Sequence, residues 1–176
     1  MGEHRETHAM TGRKDSPAIA SGGTPHDTAP ILGVRIVELR NILTRSGLMV
    51  EVFRTDWADI GITVRQVNWV ELAPGGVTDW HRHARQTDHL VAVHGTIRLA
   101  LWDDRPDSPT RGATQVVRMG ILRPVVVIIP PGVFHALRNE SGAPAGYLNV
   151  IDEVYVAADP DNWRLPSGSA EAPDIL

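Results

Sequence analysis

The sequence predicts an all-β fold, a sandwich or a barrel, and three observations carry that prediction. Short runs rich in Val, Ile, Leu and Thr recur along most of the chain. Clusters of Gly, Pro, Asp and Ser separate them. No long amphipathic helix period interrupts the pattern. Ile31 to Leu39 reads as the first strand. Thr44-Arg45-Ser46-Gly47 reads as a turn and Leu48 to Arg54 as the second strand. Val64 to Leu72 is the third, ended by Ala73-Pro74-Gly75-Gly76. Further strands are expected at His81–His83, Asp88–Val93, Thr96–Trp102, Thr114–Met119, Val125–Ile129, Ala136–Asn139 and Tyr147–Ile151. The stretch 103–109, Pro130-Pro131-Gly132 and Glu140-Ser141-Gly142 supply the turns between them.

A chain of 176 residues suits one domain with a full core. Residues 1–30 are polar, aperiodic and rich in Gly, Ser, Thr, Pro and His, and read as a disordered tail. The domain is expected over 31–166, followed by a C-terminal tail over 167–176. The Pro/Asp-rich end from Asp159 is expected to wrap the domain surface or a neighbour. The composition, 42% hydrophobic and 22% charged, is that of an ordinary globular protein. The net charge is −4 and no basic block is dense enough for nucleic acid. The absence of cysteine excludes disulfides, zinc fingers and thiol nucleophiles, and fits a reducing cytoplasm. No run reaches membrane-span length, and the N-terminus lacks the pattern of a signal peptide.

The chemistry is concentrated in His81-Arg82-His83, Asp88 and His135. Alternate side chains of a strand share a face, so His81 and His83 point the same way. Asp88 opens the next strand, and His135 follows the rigid Pro130-Pro131-Gly132 turn. Three imidazoles and a carboxylate suit Fe(II), Mn(II), Ni(II), Co(II) or Zn(II). The alternative is a set of histidines that serve as bases or bind a substrate directly. His89 should face away from the cluster. His94, like His4, His8 and His26, reads as structural or surface. Trp69, Trp80 and Trp102 read as core or pocket wall, and Asp79 as a solvated turn residue.

Gly75 lies six residues before His81, four residues separate His83 from Asp88, and six separate Asp88 from Gly95. With Pro130, Gly132, His135 and Asn139, this spacing resembles the two signature motifs of the cupin superfamily. Asp88 stands where that superfamily usually has Glu. The resemblance implies a double-stranded β-helix, the cupin jelly-roll barrel, with a metal held by His81, His83, Asp88 and His135.

A closer resemblance covers residues 31 to about 166. Thr44-Arg45-Ser46-Gly47 through Glu51-Val52-Phe53-Arg54, Gln66 with Asn68, and Asp103-Asp104-Arg105 with Ser108-Pro109-Thr110 and Gly112 resemble segments of the dTDP-4-dehydrorhamnose 3,5-epimerases. So does Pro131-Gly132-Val133-Phe134-His135. The tail Asp159-Pro160-Asp161-Asn162-Trp163-Arg164-Leu165-Pro166 is similar to that of a divergent subgroup. Those epimerases need no metal. A His removes the proton beside a ketone, a Lys stabilises the enolate, and a Tyr returns a proton. His81 falls at the base position and Asp88 at the Lys position. The Tyr position falls near Asn149, with Tyr147 two residues away. The substrate-binding Arg before the base is replaced near Asp79-Trp80.

The expected function is therefore metal-assisted proton transfer beside a carbonyl in small-molecule or deoxysugar biosynthesis. His81 is the catalytic candidate at the base position, and Tyr147 and Glu71 are the candidates for proton transfer. Arg54, Gln66, Asn68 and Arg105 are the substrate-binding candidates, with a nucleotide sugar as one substrate. The rivals are a metal-free dTDP-4-keto-6-deoxysugar epimerase, a metal-dependent oxygenase and a non-catalytic sensor. The resemblance also implies a homodimer paired through its sheets, with an edge near Leu48–Arg54 to cover.

Overall fold

The computed structural model describes residues 30–58, 60–166 and 168–176, together with Ile19. The expected disordered tail lies outside the described residues except for Ile19 and Pro30. The strands are β1 (Arg35–Glu38), β2 (Ile42–Thr44), β3 (Gly47–Met49), β4 (Gln66–Leu72), β5 (His81–Arg82) and β6 (Asp88–His94). They continue with β7 (Thr96–Trp102), β8 (Thr114–Gly120), β9 (Val125–Ile129), β10 (Phe134–Asn139), β11 (Ala145–Ile151) and β12 (Trp163–Arg164). Two five-stranded antiparallel sheets, β1-β9-β6-β11-β4 and β12-β5-β10-β7-β8, face each other, and β2-β3 forms a separate hairpin. This is the predicted cupin jelly roll.

Period-two patterning explains the layers. Along β4, Gln66, Asn68, Val70 and Leu72 turn inward while Val67, Trp69 and Glu71 turn outward. Leu90, Ala92, Ile97, Leu99, Leu101, Val117, Met119, Val127, Ile129 and Leu137 meet between the sheets. Two further clusters lie outside this core. Val91, Val126 and Ile128 are covered by Trp57 and Ile60, with Val52 and Phe53 packed beside them. Trp80, Ala100, Phe134 and Ala136 are covered by Leu165, Ala172, Ile175 and Leu176. The C-terminal segment thus wraps the barrel, and β12 pairs with β5. Trp69 departs from its expected place. It is 68% exposed, because it occupies the outward phase of an edge strand.

The expected strand at Leu48–Arg54 is shorter in the structure and ends at Met49. Beyond it Arg54 pairs with Glu51 at 3.1 Å and Asp56 at 2.7 Å. These local ion pairs accompany a loop that turns Phe53 and Trp57 onto the sheet. The first strand is also shorter, Arg35–Glu38 rather than Ile31 to Leu39.

Motif residues do structural work at the barrel ends. Asn139 Nδ2 donates to the carbonyls of Leu72, Ala73 and Ala143 at 3.1, 3.0 and 2.8 Å, and its Oδ1 accepts from Ser141 N at 2.7 Å. It ties β10 to the ends of β4 and β11. Gly95 has φ of 72°, and a Cβ there would lie 2.5 Å from Cβ of Ala145, so no larger residue fits.

The 103–112 turn is organised by Asp103. Its fully buried carboxylate accepts from Arg105 Nε at 2.8 Å, Arg105 Nη2 at 2.9 Å and Thr110 Oγ1 at 2.6 Å. Ser108 Oγ donates as well, at 2.5 Å. Burial alone would raise this carboxyl, but Arg105, Ser108 and Thr110 outweigh it and hold the group below the usual carboxylate range. Asp103→Asn is expected to cost about 2–4 kcal/mol, measured by urea denaturation. The unfolded carboxyl titrates near ~3.9, so the stabilisation is present above that pH. It is lost as pH falls through the lower folded-state value. The variant should therefore lose less stability on acidification than the wild type.

Candidate active site

Antiparallel register assembles the site. His135 of β10 lies opposite His81 of β5. On the other sheet, Asp88 of β6 lies opposite Ile151, and Asn149 of β11 lies between Leu90 and Asn68. Directly opposed residues share a face. The two sheets therefore direct histidines from one side and amides and a carboxylate from the other into the same end of the barrel.

One ring nitrogen from each of His81, His83 and His135 lies within 4.8 Å of the others. Asp88 Oδ2 sits 3.2 Å from His83 Nε2 and 3.1 Å from His135 Nε2. Asp88 thus joins the cluster through His83 and His135. Its other oxygen accepts from Gln86 Nε2 at 2.7 Å and Asn149 Nδ2 at 2.9 Å. Burial opposes ionisation of Asp88, yet the facing imidazoles win and hold it well below the usual range. The carboxylate stays charged although it is 1% exposed.

The remaining ring contacts assign the tautomers. His81 Nδ1 faces the carbonyl of Asp79 at 3.0 Å, and His135 Nδ1 faces that of Val133 at 3.2 Å. His83 Nδ1 faces the carbonyl of Asp161. A carbonyl only accepts, so each Nδ1 carries a proton and each neutral ring keeps its lone pair on Nε2. Asp88 Oδ2 then has no hydrogen donor, although it is fully buried. Two nitrogen lone pairs aimed at a carboxylate oxygen are stable only with a positive species among them, a proton or a metal ion. The donor set fits a divalent transition metal on this observation. Burial opposes protonation of His83, but the Asp88 carboxylate outweighs it and raises that imidazole. His81 is pushed the other way, down to about 3, by burial and then by His135. It stays neutral.

The other expected residues divide into two groups. Gln66 and Asn68 face the interior, with Gln66 Nε2 donating to Asn68 Oδ1 at 2.8 Å. Gln66 Oε1 accepts from Tyr155 N at 2.9 Å. Tyr147 also faces inward, on the phase of Asn149, and burial pushes its phenol up to about 12. Arg54 and Arg105 do not meet the cluster. Arg54 is an exposed loop residue bound to Glu51 and Asp56, and Arg105 is bound to Asp103 and to the carbonyl of Leu32 at 2.7 Å. Glu71 points outward and contacts His94 Nε2 at 3.4 Å. His89 is buried but on the outward phase of β6, as expected. A cleft of about 620 Å³ between β1 and the 51–60 loop, lined by Leu39, Glu51 and Trp57, holds none of the cluster.

Gln86 and Asp161 were not foreseen. Gln86 had no motif to mark it. Asp161 acts from 78 residues away, and its Oδ atoms accept from the main-chain N–H groups of Ala84, Arg85 and Gln86 at 2.8, 2.8 and 3.1 Å. It thereby clamps the tail over the turn that follows His83.

No protein-family model matches the chain. Curated relatives do match, and two of them cover about three quarters of the chain. One, from Haloferax volcanii, is described as a probable low-salt glycan biosynthesis epimerase, Agl13. It is 34% identical over 134 residues, covering 74% of this chain and 86% of the relative. The spore coat polysaccharide biosynthesis protein SpsL of Bacillus subtilis is 30% identical over 134 residues, covering 76% of this chain and 88% of the relative. The chain belongs to the dTDP-4-dehydrorhamnose 3,5-epimerase-like cupins. The crystal structure of a dTDP sugar isomerase from Desulfovibrio desulfuricans matches with a TM-score of 0.74 at 26% identity. That match covers 79% of this chain and 87% of the isomerase. A 3′-monoepimerase from Streptomyces bikiniensis, in complex with dTDP-quinovose, shares the fold with a TM-score of 0.71 at 22% identity. It covers 85% of this chain and 80% of that one. This epimerase-like cupin is accordingly an epimerase or isomerase of deoxysugar or glycan biosynthesis. Among the described residues no helix is long and apolar enough to cross a membrane.

Proposed function

We propose that the enzyme inverts a carbon beside the ketone of a nucleotide-linked 4-keto-6-deoxysugar, and that its histidine cluster holds a divalent cation. The observation that carries the reading is the convergence of Nε2 lone pairs from His83 and His135 on the donorless Oδ2 of Asp88. His83, His135 and Asp88 would hold the ion, with the His81 nitrogen nearby. The ion would act as a Lewis acid that stabilises negative charge on the substrate oxygen, the task of the family's Lys at the position of Asp88.

His81 is the base. Its Nδ1 faces the Asp79 carbonyl, so the Nε2 lone pair takes the proton, the C–H pair moves into the adjoining carbon–carbon bond, and charge collects on the ketone oxygen. Tyr147 keeps its proton at neutral pH and returns it to the same carbon from the opposite side, which inverts the centre. Solvent then transfers the proton from His81 back to the phenolate. Asn149 Oδ1 lacks a hydrogen donor and is placed to accept one from a sugar hydroxyl.

A metal-free variant of the same reaction is favoured by one observation. Asp88 raises the His83 imidazole against its burial, which favours a proton rather than a metal as the positive species between them. Turnover of dTDP-4-keto-6-deoxyglucose before and after chelation separates the two. The cation reading expects activity to fall at least tenfold on chelation and to return with one divalent metal. Full activity after chelation leaves the metal-free reaction. No epimerised product in either state rejects the reading.

We further propose a cytoplasmic homodimer. The β2-β3 hairpin exposes Leu43 (85%), Leu48 (40%) and Met49 (48%), an apolar surface that a second copy would cover. Light scattering at micromolar concentration should give twice the 19.2 kDa chain mass, and a monomer would refute this.

A further inference from the structure

The arginines expected to meet an anion are already occupied. Arg54 is neutralised by Glu51 and Asp56, and Arg105 by Asp103. Arg82 stacks on the outside of the barrel, its guanidinium 4.6 Å from the ring centre of Phe134. The C-terminal strand brings in another. In the pairing of β12 with β5, Trp163 lies opposite Arg82 and Arg164 lies opposite His81. Opposed residues of an antiparallel pair share a face, so Arg164 takes the side of His81 and His135, while Trp163 takes the outer side with Arg82.

Arg164 is exposed, and among the described residues its guanidinium has no carboxylate or hydrogen-bond partner. Its charge is close enough to bear on the phenol of Tyr147 inside the barrel. The strand that carries it is held on both sides. Asp161 grips the main chain of residues 84–86, and Leu165 N donates to the carbonyl of Trp80 at 3.0 Å. An unpaired guanidinium carried on an anchored strand at the rim of a polar site is suited to a phosphate group, which its planar fork can bind with two parallel hydrogen bonds.

We propose that Arg164 is the residue that binds the diphosphate of the substrate, supplied by the C-terminal strap in place of the arginine missing near Asp79-Trp80. This rests on the nucleotide-sugar reading above. It divides the site into a proton-transfer end within the barrel and an anion-binding rim carried on β12.

Calorimetric titration of thymidine diphosphate and thymidine into wild type, Arg164→Gln and Arg164→Lys tests it. Arg164→Gln should weaken thymidine diphosphate at least tenfold and leave thymidine unchanged. Arg164→Lys should recover part of the loss. With the keto sugar, the Gln variant should raise KM much more than it lowers kcat. Unchanged melting temperatures would show that both variants are folded, as expected for an exposed side chain. Equal affinity of wild type and Arg164→Gln for thymidine diphosphate would overturn the assignment while leaving the nucleotide-sugar reading intact. No binding of thymidine diphosphate by wild type would overturn both.

Discussion

Replacement of Asp88 by Asn is expected to lower kcat/KM by about a thousandfold or more while leaving the protein folded. The substitution is nearly isosteric. The oxygen that accepts from Gln86 and Asn149 can remain in place, so the barrel keeps those hydrogen bonds. The charge facing His83 and His135 disappears. Without it, the imidazole of His83 loses the partner that outweighs its burial, and the proposed divalent ion would lose the carboxylate that faces both imidazoles. Steady-state kinetics with the keto sugar, beside a thermal melt, reads both halves. A variant with wild-type turnover would remove Asp88 from the chemistry. A variant that unfolds would show instead that the carboxylate is chiefly structural.

The second large effect is expected at Asp161. Its carboxylate accepts from three consecutive main-chain N–H groups, and its own carbonyl faces His83 Nδ1. Burial would raise this carboxyl, but the three N–H donors prevail and keep it below its usual range. Asp161→Ala leaves those donors to water and frees the strap that bears β12. The expected cost is about 2–3 kcal/mol of stability, read by denaturant midpoint. Because the strap also fixes the tautomer of His83, kcat should fall about tenfold beyond any loss from unfolding. Nitrogen-15 spectra of the histidines supply a readout that stability alone would not move. The wild type should show His83 protonated at Nδ1, and Asp161→Ala should show a mixture of tautomers. A single unchanged tautomer in the variant would count against the positioning role.

Much of the site was legible because its logic is local and periodic. His81 and His83 were placed together by the period of two, although β5 ends at Arg82 and His83 lies just beyond it, and the Pro130-Pro131-Gly132 turn announces His135. Gln66 and Asn68 follow the same alternation onto the inner side of β4. The core runs, such as Val125–Ile129, read as strands because five consecutive apolar residues have nowhere else to go.

The parts that were not legible depend on pairing at long range or on competition between partners. Nothing near residue 161 or 164 in sequence tells that β12 will dock against β5 and bring Arg164 opposite His81. Arg54 and Arg105 look like anion contacts until their neighbours are counted. Each has an Asp two residues away, and those carboxylates claim the guanidinium first. Trp69 was expected inside because Trp is usually buried, but the phase of an edge strand places it outside.

The most direct measurement is hydrogen exchange between the substrate and solvent. The enzyme, loaded with divalent metal, is incubated with dTDP-4-keto-6-deoxyglucose in deuterium oxide, and the recovered sugar is examined by proton NMR. The account predicts loss of the proton signal at a carbon beside the ketone with wild-type protein, and no such loss with His81→Asn. Retention of both neighbouring protons by the wild type, or equal exchange by the His81 variant, would contradict it.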